Sequence, residues 1–465
     1  MAASNNKNTA FPKLFIVSAL LLLCCGLVFG LIGGLQYIIP GFWRNTLSFE
    51  KVRPLHVSSM VFWIIIALVG VVLSFLQQHG TRRNYSPFLL RAQLILLCLA
   101  VLLIFISYFR GLFGGREYWE FPPYISIFII ASWILFLVNV IASLITIKKQ
   151  PVYIWMWLTG ICFFLFTFLE SYLWLIPYFN RHLVNDMTVQ WKSYGSMVGS
   201  WNMIMYGSSI FLMDKISGSK TYSHSRIAFL LYFLGLFNLM FNWGHHLYTV
   251  PTHPYVHYIA YAVSMTELLI LGRMILTWRQ SLTAAQKFRH NIAYRFLLFG
   301  DVWILLTLVL ALAMSIPAIN VYTHGTYITV GHTMGATIGI NTFLILGMAY
   351  NLLTDECREP NRKIIIAGLN LANIALFVFW ISLIVAGVLK AAWQMNPERL
   401  PYAAMLDSVK PWLISFVVAG FVLTTGLLMI VLPLLKSYLS CYFTSHLFSL
   451  RSLNAKKQKR ELSLE

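Results

Sequence analysis

The sequence predicts an all-α polytopic membrane protein with about 12 transmembrane helices, because apolar runs of bilayer-spanning length recur along the whole chain. Two further observations support this fold class. Of 465 residues, 59% are hydrophobic and only 11% charged, with a mean hydropathy of +0.73, far from the composition of a water-soluble domain. Lys and Arg also collect in alternate loops, as they do at the cytoplasmic ends of spans.

The apolar runs fall near 14–38, 56–76, 88–109, 124–147, 152–177, 187–213, 226–249, 255–278, 293–318, 327–353, 363–390 and 411–440. A short basic tail follows over 441–465. No repeat period, low-complexity tract or soluble appendix interrupts them, so a single membrane domain over 1–465 is the economical reading. The first run is too long for a signal-peptide core and is expected to remain as an anchor.

Placing Lys7 and Lys13 inside puts Arg82, Arg83, Lys148, Lys149, Lys215, Lys220, Arg273, Arg279, Lys287, Arg289, Arg358, Arg362 and Lys363 in loops on the same side. The tail adds Lys456, Lys457, Lys459 and Arg460, and both termini are expected to be cytoplasmic. The net charge of +19 is therefore a topology signal that calls for no nucleic-acid partner. The six cysteines form no CxxC and no CxxCH. That excludes a covalent c-type haem by the usual motif and argues against an iron–sulfur cluster or a disulfide framework.

Polar residues inside the spans point to chemistry. His56 opens the second run and reads either as an interfacial hydrogen-bonder or as an axial ligand if a partner ligand stands opposite. Between the third and fourth runs, Gly115-Arg116-Glu117 and the nearby Glu120 suit an oxygen-ligated cation, pairing with haem propionates, or an aromatic interfacial turn. The sixth run, Trp191-Lys192-Ser193-Tyr194-Gly195-Ser196, carries small residues suited to close helix packing and a tyrosine but no histidine. The seventh ends in Gly244-His245-His246, where two consecutive histidines between a glycine and Pro251 can turn both imidazoles onto one metal ion. His253 and His257 follow in a loop bordering the same region.

Glu267 lies in mid-span in the eighth run with no basic residue within a helical turn, which suits a protonated, hydrogen-bonded or proton-conducting carboxylate. Glu170 and Asp301 are weaker cases nearer span ends. The tenth helix begins in Val321–Thr326 and runs through Gly331-His332-Thr333-Met334-Gly335. At 100° per residue, His332 and Met334 project to opposite sides, and both residue types are axial ligands of haem iron. Glycines at 325, 331, 335 and 339 would let a flat macrocycle lie close to the backbone.

In their order along the chain, these residues resemble the haem-copper oxidase superfamily, and within it the large subunit of cytochrome-c-dependent nitric oxide reductase. The likeness spans nearly the whole chain. It implies a low-spin haem b on His56, with Glu117 binding a structural calcium that bridges haem propionates. It also implies a non-haem iron or copper on His245 and His246, Glu267 near the active site, and a high-spin haem b on His332, reached through Tyr322-Thr323-His324-Gly325-Thr326.

Two departures stand out. Met334 occupies the place of the second low-spin ligand, and a methionine ligand raises haem potential. Counting back from His245, the family's third metal-binding histidine falls on Tyr194, its iron-binding glutamate on Val198 and a further glutamate on Asn202. A register shifted toward the C-type oxygen reductases puts Ser196 at the histidine position instead, and in either register that histidine is absent. Tyr194 is then the candidate replacement.

The resemblance implies reduction of NO, or O2 for the C-type branch, in the bacterial cytoplasmic membrane, with a membrane-anchored cytochrome c subunit as electron donor. The missing ligand supports a third reading, a degenerate haem protein for electron relay or sensing.

Overall fold

The computed structural model describes residues 2–79, 86–144, 149–266, 292–398 and 400–461. Among them all regular structure is helical apart from an isolated Arg116–Trp119 bridge. The principal helices are α1 (Ala2–Ile38), α2 (Phe49–His79), α3 (Pro87–Phe109), α4 (Ser126–Ser143), α5 (Val152–Glu170) and α6 (Leu183–Ser217). They continue with α7 (Arg226–Leu247), whose last turn is tight, α8 (254–266, where description stops), α9 (Ile292–Ser315), α10 (Tyr327–Leu352), α11 (Arg362–Met395) and α12 (Tyr402–Glu461).

Ten of these are long and apolar enough to cross a membrane among the described residues. The remaining two of the expected twelve are α6, whose serines and charged ends make it less apolar, and α8, which is described only in part.

The ends of the helices sort onto two faces. One carries the turn after α1, the 110–122 loop and the entries to α6 and α10. Lys51 Nζ reaches the Phe109 carbonyl there (3.0 Å), Lys390 Nζ the Gly325 carbonyl (2.9 Å), and Ile38 and Tyr327 pack against the same cluster of Ala386, Met405, Val409 and Leu413. The opposite, base-rich face joins Tyr153 to His79 (2.8 Å) and Lys215 to Gln78 (2.8 Å).

α2 forms the axis of the bundle, with 89% of its most apolar stretch buried against 33% for α3, whose Ile95, Leu102 and Phe109 face outward. Close helix approaches rest on glycine. A methyl group at Gly160 would stand 2.6 Å from the Ser200 carbonyl oxygen, and one at Gly368 2.7 Å from the Gly426 carbonyl. Without a hydrophobic gain between helices in lipid, such backbone proximity supplies the dispersion contacts that hold a bundle together.

Three expectations are corrected. α2 begins at Phe49, so His56 sits two turns inside the helix and not at its edge, Pro54 being accommodated at the loss of one backbone bond. The tenth helix does not run on from Val321: a short helix, Pro317–Thr323, ends at Gly325 with φ +69°, and α10 restarts at Tyr327 under a Thr326 side-chain cap. Cys24, Cys25, Cys98 and Cys162 are free, but Cys357 is disulfide-bonded, a departure from an expectation built on spacing alone.

Candidate functional site

Four histidines keep accessible surface although they lie within the bundle: His56, His245, His246 and His332. His56 on α2 is held by α1, its Nδ1 lying 2.7 Å from the Gly26 carbonyl oxygen. A carbonyl can only accept, so Nδ1 carries the proton and Nε2 is left as a donor atom for a metal. Gly30 makes room for this ring, since a methyl there would stand 2.9 Å from the imidazole.

Met334 lies on α10 and His56 on α2, helices that touch further along. Trp63 Nε1 of α2 donates to Thr342 Oγ1 of α10 (3.2 Å), and both helices start from the same face. Between Gly335 and Thr342 the helix widens into a π segment, a local unwinding frequent at functional sites.

His245 and His246 converge at the end of α7, their ring centroids 4.2 Å apart. His245 Nδ1 lies 3.1 Å from Asn242 Oδ1, which also accepts from Ser264 Oγ of α8, so the tautomer leaves Nε2 free here too. His246 lies flat against Trp191 of α6, centroids 5.5 Å apart and planes at 16°. His332 is an electrostatic neighbour of both, and His324 of His246. The structure thus brings His332 to the histidine pair.

The other expected residues are distributed differently. Among Tyr194, Gly195 and Ser196 it is Gly195 that faces the pair, where a methyl would meet Trp243 at 2.8 Å and His246 at 3.7 Å. Tyr194 turns toward the 110–122 loop, packing edge-on against Tyr118 (5.8 Å) with Tyr172, Glu120 and Arg116 as electrostatic neighbours. Val198 is 40% exposed on the outside, while Ser196 bonds within its own helix as the acceptor carbonyl for Ser200. Among the described residues no group of three His, Cys, Asp or Glu side chains is placed to hold a metal. Glu267 lies outside the described residues.

Glu117 pairs with Arg53 of α2 (2.6 Å), and Glu120 pairs with the same guanidinium (2.8 Å). Arg116 pairs with Asp186, and Glu170 with Lys192. Burial lifts the Glu120 carboxyl above its ordinary range despite Arg53, and holds the Tyr118 phenol up to about 12, with Glu117 adding to it. His253 stacks on Tyr255 and His257 bonds Thr252 (3.0 Å), so both serve the local loop.

The glycines of α10 form no bed for a macrocycle. Gly331 faces Leu383 and Trp380, Gly335 faces Thr307 and Trp380, and a methyl at Gly339 would stand 2.4 Å from the Trp303 ring. They admit α9 and α11 instead.

The chain matches the family Cytochrome C and Quinol oxidase polypeptide I over residues 11–422. It belongs to the haem-copper oxidase subunit I family. It is 23% identical to a nitric oxide reductase subunit of Stutzerimonas stutzeri over 424 residues, covering 84% of this chain and 86% of that protein. It is 22% identical to cytochrome c oxidase subunit 1 of Rhodobacter capsulatus over 426 residues, covering 82% and 74%. The fold is similar to that of a haem-copper terminal oxidase dimer, with a TM-score of 0.72 at 14% identity over 93% of this chain and 84% of that one.

Family membership makes the protein an oxidoreductase of the membrane, in a family that binds haems and a metal centre and works with other subunits. The residues present fit haem at His56, whose Nδ1 is tied to a carbonyl so that Nε2 is left as a donor, and His332 offers a second imidazole that keeps some accessible surface within the bundle. The histidine pair fits a further metal in part, since it offers two imidazoles where catalytic sites commonly offer three protein donors.

Sequence reasoning gave neither Trp191 nor Asn242 a role at the histidine pair. The signal was present: Asn242 stands one helical turn before His245, and Trp191 one turn before Gly195.

Proposed function

We propose that the protein is a nitric oxide reductase-like enzyme, taking electrons from a membrane-anchored cytochrome c subunit and converting two NO to N2O and water. The observation that carries this reading is the convergence of His332 with His245 and His246 inside the bundle. His56 and Met334 would hold a low-spin haem b, His332 a high-spin haem b, and His245 with His246 a non-haem iron or copper. These groups would supply the electrons and a Lewis-acid centre for joining two small gaseous substrates.

The chain's own residues do the rest. Asn242 and Ser264 fix the His245 tautomer, and Trp191 fixes the plane of His246. Tyr194 lies among Tyr118, Tyr172, Glu120 and Arg116 toward the loop face, and Glu267 would deliver protons near the site. Glu117 is offered for calcium, a role in which it exchanges Arg53 for the cation. The base-rich face would be cytoplasmic, with both termini on it.

A reading as an oxygen reductase is supported by the likeness to cytochrome c oxidase subunit 1 at almost the same identity. Turnover of the purified, haem-loaded protein with a reduced donor separates the two. N2O formation with little O2 consumption supports the first reading, O2 consumption without N2O the second, and neither activity leaves electron relay or sensing.

A further inference from the structure

Near the base-rich ends of α11 and α12 the outer surface of the bundle carries a groove of about 440 Å³, within the roughly 300–1,000 Å³ of ligand clefts. Leu428, Met429, Leu432 and Pro433 of α12 recur along it at helical spacing, and Ile364 of α11 lines its other side. Leu432 is 53% and Ile364 43% exposed, so the apolar wall is left uncovered by the described chain. Thr425 ends the groove in mid-span, where its hydroxyl donates to the Phe421 carbonyl of its own helix (2.9 Å). No spare donor therefore interrupts the apolar track.

The opposite end is polar and positively charged, lined by Asn361 and Lys436. Asn361 Nδ2 donates to Ser437 Oγ (2.9 Å), and Ser437 to the Cys357 carbonyl (3.1 Å), which fixes the shape of this end. Tyr438 donates to the Ala349 carbonyl near the end of α10 (2.6 Å), placing it on the base-rich face. Lys436 is exposed and, among the described residues, joins no ion pair. Lys363, exposed on the first turn of α11, adds a second cation at this level.

Length and charge together select an occupant. From Thr425 to Lys436 the groove follows α12 for about 16 Å at 1.5 Å per residue. That is close to one leaflet of a hydrocarbon core about 30 Å thick. A lysine stem lies along apolar surface while its ammonium reaches headgroup level. A cation at the interface and an apolar track ending at mid-bilayer match the two parts of a phospholipid, and a cation without a carboxylate partner favours an anionic headgroup.

We propose that the groove between α11 and α12 binds one anionic phospholipid, with its phosphate at Lys436 beside Asn361 and one acyl chain along Leu432, Met429 and Leu428.

Photocrosslinking of the full-length protein in phosphatidylcholine nanodiscs tests this. The probes are phosphatidylglycerol and phosphatidylcholine, each with a diazirine in one acyl chain, and crosslinked peptides are mapped by mass spectrometry. Phosphatidylglycerol is expected to label residues 425–436 about fivefold more than phosphatidylcholine, the preference one lysine near the headgroups supplies. Lys436→Gln should abolish that preference, and Leu432→Trp, which fills the groove, should lower labelling by both probes. Equal labelling by the two probes in the wild-type protein overturns the proposal without recourse to any variant. So does a preference that survives Lys436→Gln, or the absence of label within 425–436, the result expected if another subunit covers the groove.

Discussion

Trp191 lies parallel to His246 with ring centroids 5.5 Å apart, and this stack ties α6 to the turn that carries both histidines of the pair. The indole fixes the plane of a ring whose neighbour, His245, is fixed by Asn242 and Ser264. The two imidazoles are thus oriented from two different helices.

Replacing Trp191 by Leu keeps apolar bulk and removes the stack, worth about 0.5–1.5 kcal/mol beyond area burial. Non-haem metal retention after dialysis against a chelator is expected to fall about tenfold, with haem content unchanged. Equal retention in the variant would show that the stack does not orient His246.

Asn242→Leu leaves His245 Nδ1 without its acceptor at nearly the same side-chain volume. Metal affinity is expected to fall about 10- to 100-fold, the usual effect of losing a partner that orients a ligand. Asn242→Asp should retain the metal, since a carboxylate accepts the same bond, and isothermal titration with the metal ion reads both.

At Gly339 a methyl group would stand 2.4 Å from the Trp303 ring, which Asn373 anchors. Gly339→Ala is expected to destabilise the protein by about 1–3 kcal/mol, the range for overpacking a filled site. A lowered Tm in detergent, rescued by Trp303→Leu, is the expected pattern. Gly41, with no atom within 4 Å but φ +93°, should respond to alanine through backbone strain alone, with no such rescue.

Glu120 supplies a pH dependence. Folding raises its pKa, chiefly by burial, so its contribution to stability is present below the unfolded-state value of about 4.3 and is lost as pH rises through the raised value. Glu120→Gln removes that loss. The Tm of the variant relative to wild type is therefore expected to increase between about pH 4 and pH 7. A decrease over the same range would mean that Arg53 outweighs the cost of burial.

Much of the architecture was legible because it follows from one-dimensional signals. Apolar length gave the spans, and at helix ends Lys215 bonds Gln78 while Arg358 bonds the Asn351 carbonyl and lies over the Tyr350 ring. The grouping of His332 with His245 and His246 followed from their resemblance to an ordered set. What sequence could not show was rotation about a helix axis. Tyr194, Gly195 and Ser196 differ by 100° each, and only packing against Trp243 decides that Gly195 meets the pair while Tyr194 turns to Tyr118. The α10 glycines misled for the same reason, because absence of a side chain fits a flat cofactor and a neighbouring helix equally well. The Glu117–Arg53 pair joins residues 64 positions apart, beyond the reach of any local pattern.

The central claim, that His332, His245 and His246 build one haem–metal site, is tested most directly by the metal and haem content of the purified protein. It should be read together with the optical spectrum of the reduced form with and without NO. A non-haem iron or copper at half the haem content, lost in His245→Ala, with only the haem lost in His332→Ala responding to NO, is the expected result. Haem without any stoichiometric second metal, or a metal that survives His245→Ala, would contradict it.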